Sequence, residues 1–329
     1  MNHLRRLGNQ ISIPIPPDED GFTGRECPVP ECLGYFKIQS GTGLKGEGLP
    51  CHCPYCEHVD GHDKFWTKEQ IEYVESVALN RVTEALLKDL KAMEFDYRPR
   101  GGFGIGISMR VEGHPHPIRY YREKQLETVV VRDHCTLRYA IYGVFAFCPD
   151  CGTHNSQQIL DKNLELAEKE VALAATVERE LADYLIADAL ENTASAFDGF
   201  GRETCRVYAV TSSASAKAEN LSFQNLANAR QRIQELFGFD LAAGVETQEW
   251  DFVCLCFQKR HLLAHKMGVV DETYLKTVKD PQTIVGRKVF IKPDEVMSLI
   301  SVLKKLGAYL VGQLPRGLHS GTSGRETES

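Results

Sequence analysis

The stretch Cys148-Pro-Asp-Cys151-Gly-Thr-His-Asn155-Ser156-Gln-Gln-Ile-Leu160-Asp-Lys-Asn-Leu164 decides the fold class. Its first part is a metal-type knuckle, two cysteines separated by two residues and followed by glycine. Its second part opens an amphipathic helix. Upstream, the chain is made of cysteines, glycines and short apolar runs; downstream, it is made of long periods near 3.6 residues. The change of texture at Asn155-Ser156 predicts an α+β protein, with an N-terminal zinc-ribbon and α+β region followed by an all-α helical bundle.

Downstream, Leu160, Leu164, Ala167, Val171, Ala174, Leu181 and Leu185 keep a 4,3 spacing interrupted only by Glu178. One long helix is expected over 157–190, with further helices at 193–209, 222–237, 246–267 and 293–313, so the bundle covers 155–314. The last segment, 315–329, is glycine, serine, threonine and charge, the composition of a disordered tail. Upstream, Thr67 and Gln70 form a capping-box pair ahead of a helix over 67–93. Strands are expected at 105–111, 127–132 and 138–147, after a glycine-rich joint at 100–106. These belong to an α+β region spanning 67–154 that ends in the Cys148 knuckle. Residues 21–66 read as a zinc ribbon and 1–20, with Ile13-Pro-Ile-Pro-Pro17 followed by Asp18-Glu-Asp20, as an irregular lead-in. No internal repeat of fixed period is visible.

The chain has 329 residues, 43% of them hydrophobic, enough to bury two cores. A net charge of −7 excludes a field that coats DNA or anionic lipid, so nucleic-acid binding requires a local patch. No run approaches the roughly 18 apolar residues of a membrane span and the N-terminus lacks a signal-like apolar stretch. The expectation is a cytoplasmic protein with no membrane partner.

Eleven cysteines without an export signal fit reduced thiols. Cys27-x4-Cys32 and Cys53-x2-Cys56 stand twenty residues apart across a strand-like run and a glycine-rich turn, the pattern of a structural tetrathiolate zinc site. Cys51, His52, His58 and His62 lie nearby as substitute ligands or bystanders. Cys148 and Cys151 form a second knuckle whose upstream partner is Cys135, with Arg132 where a matching cysteine is expected. The spacing leaves open whether His134 or Asp133 completes this second zinc site or packing alone holds it. Cys205, Cys254 and Cys256 fall in helices and read as core.

The segment Arg260-His261-Leu-Leu-Ala-His265 carries the candidate chemistry. Projected on a helix from Glu246, Trp250, Cys254, Phe257 and Ala264 make an apolar stripe with His261 in its middle. Arg260 and His265 lie on its two shoulders, about 140° apart. Arg260-His261-x3-His265, followed by Gly268-Val-Val-Asp-Glu272-x-Tyr274-Leu275 and preceded by Ser195-Ala-Phe-Asp-Gly-Phe-Gly-Arg-Glu203, resembles the HEPN (higher eukaryotes and prokaryotes nucleotide-binding) superfamily. The likeness covers about residues 157–314 and implies a HEPN-like bundle active as a homodimeric, metal-independent endoribonuclease. It implies that RNA is cut by 2'-hydroxyl attack. His265 is then the general acid or base, Arg260 the phosphate-binding cation, and His261 an orienting or phosphate-binding neighbour.

An imidazole titrates at about 6.5 and suits proton transfer near neutral pH, while a guanidinium stays charged and offers planar donors. Family analogy adds a toxin or anti-phage defence role, with an inhibitor or activator protein as partner. A HEPN subgroup carries a tyrosine two residues after the histidine; here that position is Met267, which puts control by its modification in doubt. The alternative is a zinc-ribbon RNA- or protein-binding adaptor whose bundle only dimerises. Gly101–Gly106 lacks the lysine of a phosphate-binding loop and reads as a joint. Arg119-Tyr-Tyr-Arg122-x-Lys124 reads as a solvated edge.

Overall fold

A computed structural model describes residues 2–8, 10–46, 48–98, 107–126, 128–278 and 283–314. The mixed α+β character is as expected. The glycine-rich joint and the tail 315–329 fall wholly or largely outside the described residues. The chain divides into two compact units, Met1–His154 and Asn155–Ser329.

The first unit runs α1 (Asn2–Arg6), β1 (Phe22–Glu26), β2 (Tyr35–Gln39), β3 (Cys51–His52), β4 (Val59–Asp60), α2 (Lys68–Lys91), β5 (Phe95–Tyr97), β6 (Ile107–Met109), β7 (Thr128–Val131) and β8 (Arg138–Ile141). Four strands form an antiparallel sheet in the order β1-β2-β8-β7. Two hairpins, β1–β2 and β7–β8, therefore lie side by side, each with a cysteine knuckle at its turn. The expected strand over 138–147 stops at Ile141 because Gly143, at φ 77°, turns the chain out of the sheet. Phe36, Phe65, Tyr139 and Ile141 fill the core together with Cys27, Cys53, Cys135 and Cys148.

Helix α2 starts at the expected capping box: Gln70 N–H donates to Thr67 Oγ1 and Thr67 N–H to Gln70 Oε1, both at 3.2 Å. Residues 111–126 form no regular element but are strapped along it. His116 N–H donates to Thr83 Oγ1 and Arg119 N–H to Ser76 Oγ, each at 2.9 Å, and Glu123 accepts from Gln70 Nε2 at 3.0 Å and from the Tyr35 hydroxyl at 2.5 Å. The buried Gln70 and Ser76 side chains of α2 thus find partners in the strap.

The lead-in is not wholly irregular. Asp89, near the end of α2, accepts from the Asn2 and His3 N–H groups at 2.8 and 3.0 Å through Oδ1 and from Leu4 N–H at 3.0 Å through Oδ2. A carboxylate at the start of α1 supplies what its free N–H groups lack. The His3, Leu4 and Asn2 N–H groups hold the Asp89 carboxyl below its usual range. Because the folded value is the lower one, the contribution is present above the ordinary Asp value of about 3.9 and lost as pH falls through the folded value. Protection of the amides of residues 2–6, measured against their intrinsic exchange rates, is therefore expected to fall on acidification below about pH 4, and Asp89→Asn to show the low protection already at pH 7.

The second unit is helical: α3 (Ser156–Ala174), α4 (Arg179–Val207), α5 (Ser215–Ala218), α6 (Leu226–Phe237), α7 (Thr247–Lys266), α8 (Glu272–Thr277) and α9 (Pro293–Gln313). The single helix expected over 157–190 is two. The chain turns after Ala174, where Thr176 Oγ1 donates to Leu173 O at 2.8 Å and Glu178 is extended. Helix α4 then runs without the break expected near 190. Helices α3 and α4 pack against each other and share one core, but on α4 the spacing misses the buried face: Leu181 is exposed and Leu185 half-buried, while Ile186, Ala189 and Leu190 face the core. That core is built on Leu160, Leu164, Leu190, Phe197, Phe200, Ile233, Val253, Leu299, Leu303 and Leu306.

Helix α9 lies tight against α3 and α4 at Gly307, where a Cβ would stand 2.7 Å from Leu160 Cδ2 and 3.4 Å from Phe200 Cε1. Gly307→Val is expected to overpack this crossing and lower stability by about 1–3 kcal/mol, read as a lower denaturant midpoint of the helical signal.

Candidate functional site

Two cysteine clusters stand in the first unit. Cys27, Cys32, Cys53 and Cys56 form one, and Cys135, Cys148 and Cys151 the other, with ligand atoms within 4.8 Å of one another in each. Four thiolates at about 2.3 Å from a tetrahedral ion stand about 3.8 Å apart. The Sγ separations are 3.6 Å for Cys27–Cys56, 3.7 Å for Cys32–Cys53 and 3.5 Å for Cys135–Cys148. A disulfide needs about 2.05 Å; the cysteines are free thiols. The residues therefore fit a metal ion.

Each knuckle has the same local turn. Glu57 N–H donates to Cys53 O at 3.2 Å, Gly152 N–H to Cys148 O at 3.0 Å, Thr136 N–H to Arg132 O at 2.9 Å and Leu33 N–H to Val29 O at 3.0 Å. The four donors have φ of 60°, 64°, 62° and 45°. Three of them are not glycine, so each accepts a conformation that L residues avoid, in order to aim the cysteine before it inward.

Burial pushes the Cys27 thiol up to about 12, and those of Cys53 and Cys148 higher still. Cys56 and Cys151 go the other way. Burial raises them too, but hydrogen bonds from His58 to Cys56 and from Thr153 to Cys151 outweigh it and hold both below the usual thiol range. These two ionise first and offer the first thiolates to an ion. Among the described residues no histidine or carboxylate joins either cluster, so Cys51, His52, His58 and His62 are bystanders and neither His134 nor Asp133 completes the second set.

In the second unit the apolar stripe of α7 differs from expectation. Trp250, Val253, Cys256, Phe257 and Leu262 are buried, Cys254 is half-buried, and His261 and Ala264 are exposed. The stripe is rotated because buried Lys259 lies on the packed side, where Glu295 of α9 takes its ammonium at 2.6 Å. A lysine at a core position disguised the true face. The cost of its burial is met by that ion pair and by Phe290 O at 3.4 Å. Of the cysteines read as core, Cys205 and Cys256 are buried and both thiols are pushed up to about 12 by burial.

His261 and His265 lie one turn apart on the open face, with ring centroids 4.7 Å apart and planes at 54°. Arg260 is half-buried beside them. One Nη donates to Ser195 Oγ on α4 at 3.4 Å, and its Nε is buried with no hydrogen-bond partner. Helices α4 and α7 are locked beneath this point by Phe197 against Phe257, edge to face at 6.4 Å. Ser195 was a part of the segment singled out in the sequence, but nothing local in it revealed that it would meet Arg260. Asp198 does not reach the cluster: its Oδ1 accepts from Phe223 N–H at 2.6 Å, fixing the loop before α6. Glu203 pairs with Arg206 through two bonds of 2.8 and 2.7 Å. Met267 ends α7 in the left-handed region at φ 51° and is 81% exposed.

A cleft of about 480 Å³ at the end of α7 is lined by Tyr184, Leu263, Met267 and Phe290, with Glu180, Asp183 and Lys288 also in its wall; neither His261 nor His265 lines it. No helix among the described residues is long and apolar enough to cross a membrane. No family model matches the chain, and neither a curated protein nor a solved structure matches it.

Proposed function

We propose that the helical unit is a metal-independent endoribonuclease whose active site is completed by a second copy of the chain, and that the ions held by the cysteine clusters are structural zinc. The observation that carries the first part is the grouping at the end of α7. Two exposed imidazoles stand 4.7 Å apart beside a guanidinium whose Nε lacks a partner. A buried donor without a partner is costly, and a phosphate oxygen supplies one.

In this reading His265 takes the proton of a ribose 2'-hydroxyl and the 2'-oxygen bonds to phosphorus. The P–O5' bond breaks, and the leaving 5'-oxygen is protonated by an imidazolium, leaving a cyclic phosphate. Arg260 stabilises the charge that builds on the phosphate oxygens, and His261 orients its neighbour or binds phosphate. Ser195 positions the guanidinium. Arg260 and His265 project from one helix about 140° apart, so a twofold mate brings one subunit's arginine toward the other's histidine. The cleft at the end of α7, with exposed Tyr184, Met267 and Phe290 and charges of both signs in its wall, suits a self-complementary contact.

Mixing Arg260→Ala with His265→Ala subunits tests the shared site. Each variant alone is expected to be inactive, and the mixture to recover cleavage, because the heterodimer contains one site with both wild-type groups. Inactive mixtures of variants that demonstrably exchange subunits would remove the composite site.

One observation favours a second reading, an RNA-binding adaptor. Tyr120 is 80% exposed on the strap, and Arg119, Arg122 and Lys124 point outward beside it while Tyr121 and Glu123 point in. The adaptor predicts RNA binding that survives His265→Ala without any turnover by the wild type.

A further inference from the structure

The two hairpins of the first unit close in the same way. Cys27 directly follows β1, and its N–H donates at 3.0 Å to the oxygen of Gly34, the residue before β2. Arg132 directly follows β7, and its N–H donates at 3.0 Å to the oxygen of Leu137, the residue before β8. The other two knuckles bond to each other reciprocally: His52 N–H donates to Pro149 O at 2.7 Å and Phe147 N–H to Pro54 O at 2.9 Å. Such an exchange is what a local twofold relation produces. It pairs Cys53 with Cys148, Cys56 with Cys151, Cys32 with Cys135, and Cys27 with Arg132.

The knuckle at Arg132 is nevertheless fully formed, with the Thr136 N–H bond to Arg132 O at 2.9 Å and φ of 62° at Thr136. The turn has kept a ligand-presenting geometry while one ligand is exchanged for a cation. A second, independent feature lies close by. Tyr139 is wholly buried, packs in the same core as Cys135 and Cys148, and its hydroxyl has no hydrogen-bond partner among the described residues. In the register of β7 and β8 it sits opposite Val130, on the strand face that Arg132 continues. A buried hydroxyl with nothing to bond to calls for a small polar group between it and the cluster.

We propose that Cys135, Cys148 and Cys151 bind a divalent zinc-class ion through three thiolates, and that its fourth coordination position is taken by a small ligand from solvent on the side where Arg132 replaces cysteine. Charge supports this arrangement. A divalent ion with three thiolates carries one net negative charge, which the Arg132 guanidinium neutralises, whereas four thiolates would leave two negative charges in a buried place. Binding releases one proton from each of the three thiols and involves no change of oxidation state. The Cys27 cluster is closed by four protein ligands; the Cys135 cluster keeps a position open to exchange.

The test uses the full chain loaded with cobalt(II) in place of zinc, with azide as the probe of an open position. Two cobalt equivalents are expected per chain, with a visible spectrum that is the sum of a tetrathiolate and a trithiolate site. Azide should shift the bands of one site only. Arg132→Cys should keep both equivalents and lose the azide response, and Cys135→Ser should lose one equivalent and the response together. A single equivalent in the wild type would mean that the Arg132 guanidinium stands in for the ion. Two equivalents indifferent to azide would mean a fourth protein ligand, and either result overturns the proposal. The wild-type measurement decides the point even where Arg132→Cys fails to fold.

Discussion

Cellular RNA from cells expressing Arg260→Ala or His265→Ala is expected to lack the new cyclic-phosphate ends that the wild-type protein produces. Loss of a general base costs about 10²–10⁴ in rate, and loss of one charge-stabilising donor about 10²–10³. Both exceed any effect of these substitutions on folding. His265 is exposed, and among the described residues the Arg260 guanidinium makes one long hydrogen bond, of 3.4 Å to Ser195. An exposed position such as His265 changes stability by about 0.5 kcal/mol or less, and for half-buried Arg260 the denaturant midpoint of the variant separates folding from chemistry. Ser195→Ala should be milder: it frees the guanidinium without removing it, and addition of the smaller loss to a full KM and kcat analysis separates positioning from chemistry. Sequencing of RNA ends gives the readout. Equal end profiles from wild type and both variants would sink the nuclease reading while leaving the metal clusters untouched.

Removing the metal from the first cluster is expected to unfold the first unit and spare the second. Structural zinc contributes about 10–16 kcal/mol in small domains, as much as or more than the 5–15 kcal/mol by which whole domains are stable. The first unit has few alternatives. Its cysteines are themselves core residues: Cys27, Cys53 and Cys148 are at most 1% exposed and pack with Phe36 and Phe65. Cys53→Ser or strong chelation should therefore open residues 21–154 to protease while the helical signal of α3, α4 and α9 persists, since that core contains no metal ligand.

The pH dependence has a defined sign. The metal-free thiols of Cys27, Cys53 and Cys148 hold their protons to high pH because burial disfavours thiolate, so the apo state binds more protons than the loaded one. Acid then favours apo, and retention of metal should fall as pH drops. A first unit that stays protease-resistant after its metal has been shown to leave would overturn this expectation.

Some of these features were readable from local pattern. The capping box of Thr67 and Gln70, the change of texture at Asn155-Ser156 and the two groups of cysteines all announce themselves within a few residues, because caps, periods and knuckles are local chemistry. What misled was pattern that local chemistry does not own. The 4,3 spacing ran through the turn between α3 and α4 by coincidence of apolar residues, since Leu181 is exposed and Ile186, Ala189 and Leu190 face the core instead. The face of α7 was misplaced because Lys259 is buried by a partner 36 residues away.

The sequence by itself determined the division into a cysteine-rich α+β half and a helical half, the seven cysteines that gather into two clusters able to hold a metal ion, and the placing of Arg260, His261 and His265 on one helix. Only the tertiary structure decided that Ser195 meets Arg260, that the histidines face outward, that Asp89 caps α1, and that the knuckles at Cys53 and Cys148 exchange backbone hydrogen bonds. The division has one physical origin. Ligand type and helical period are set by neighbours along the chain, whereas which polar groups find partners is set by how distant segments pack, and spacing alone does not encode that packing.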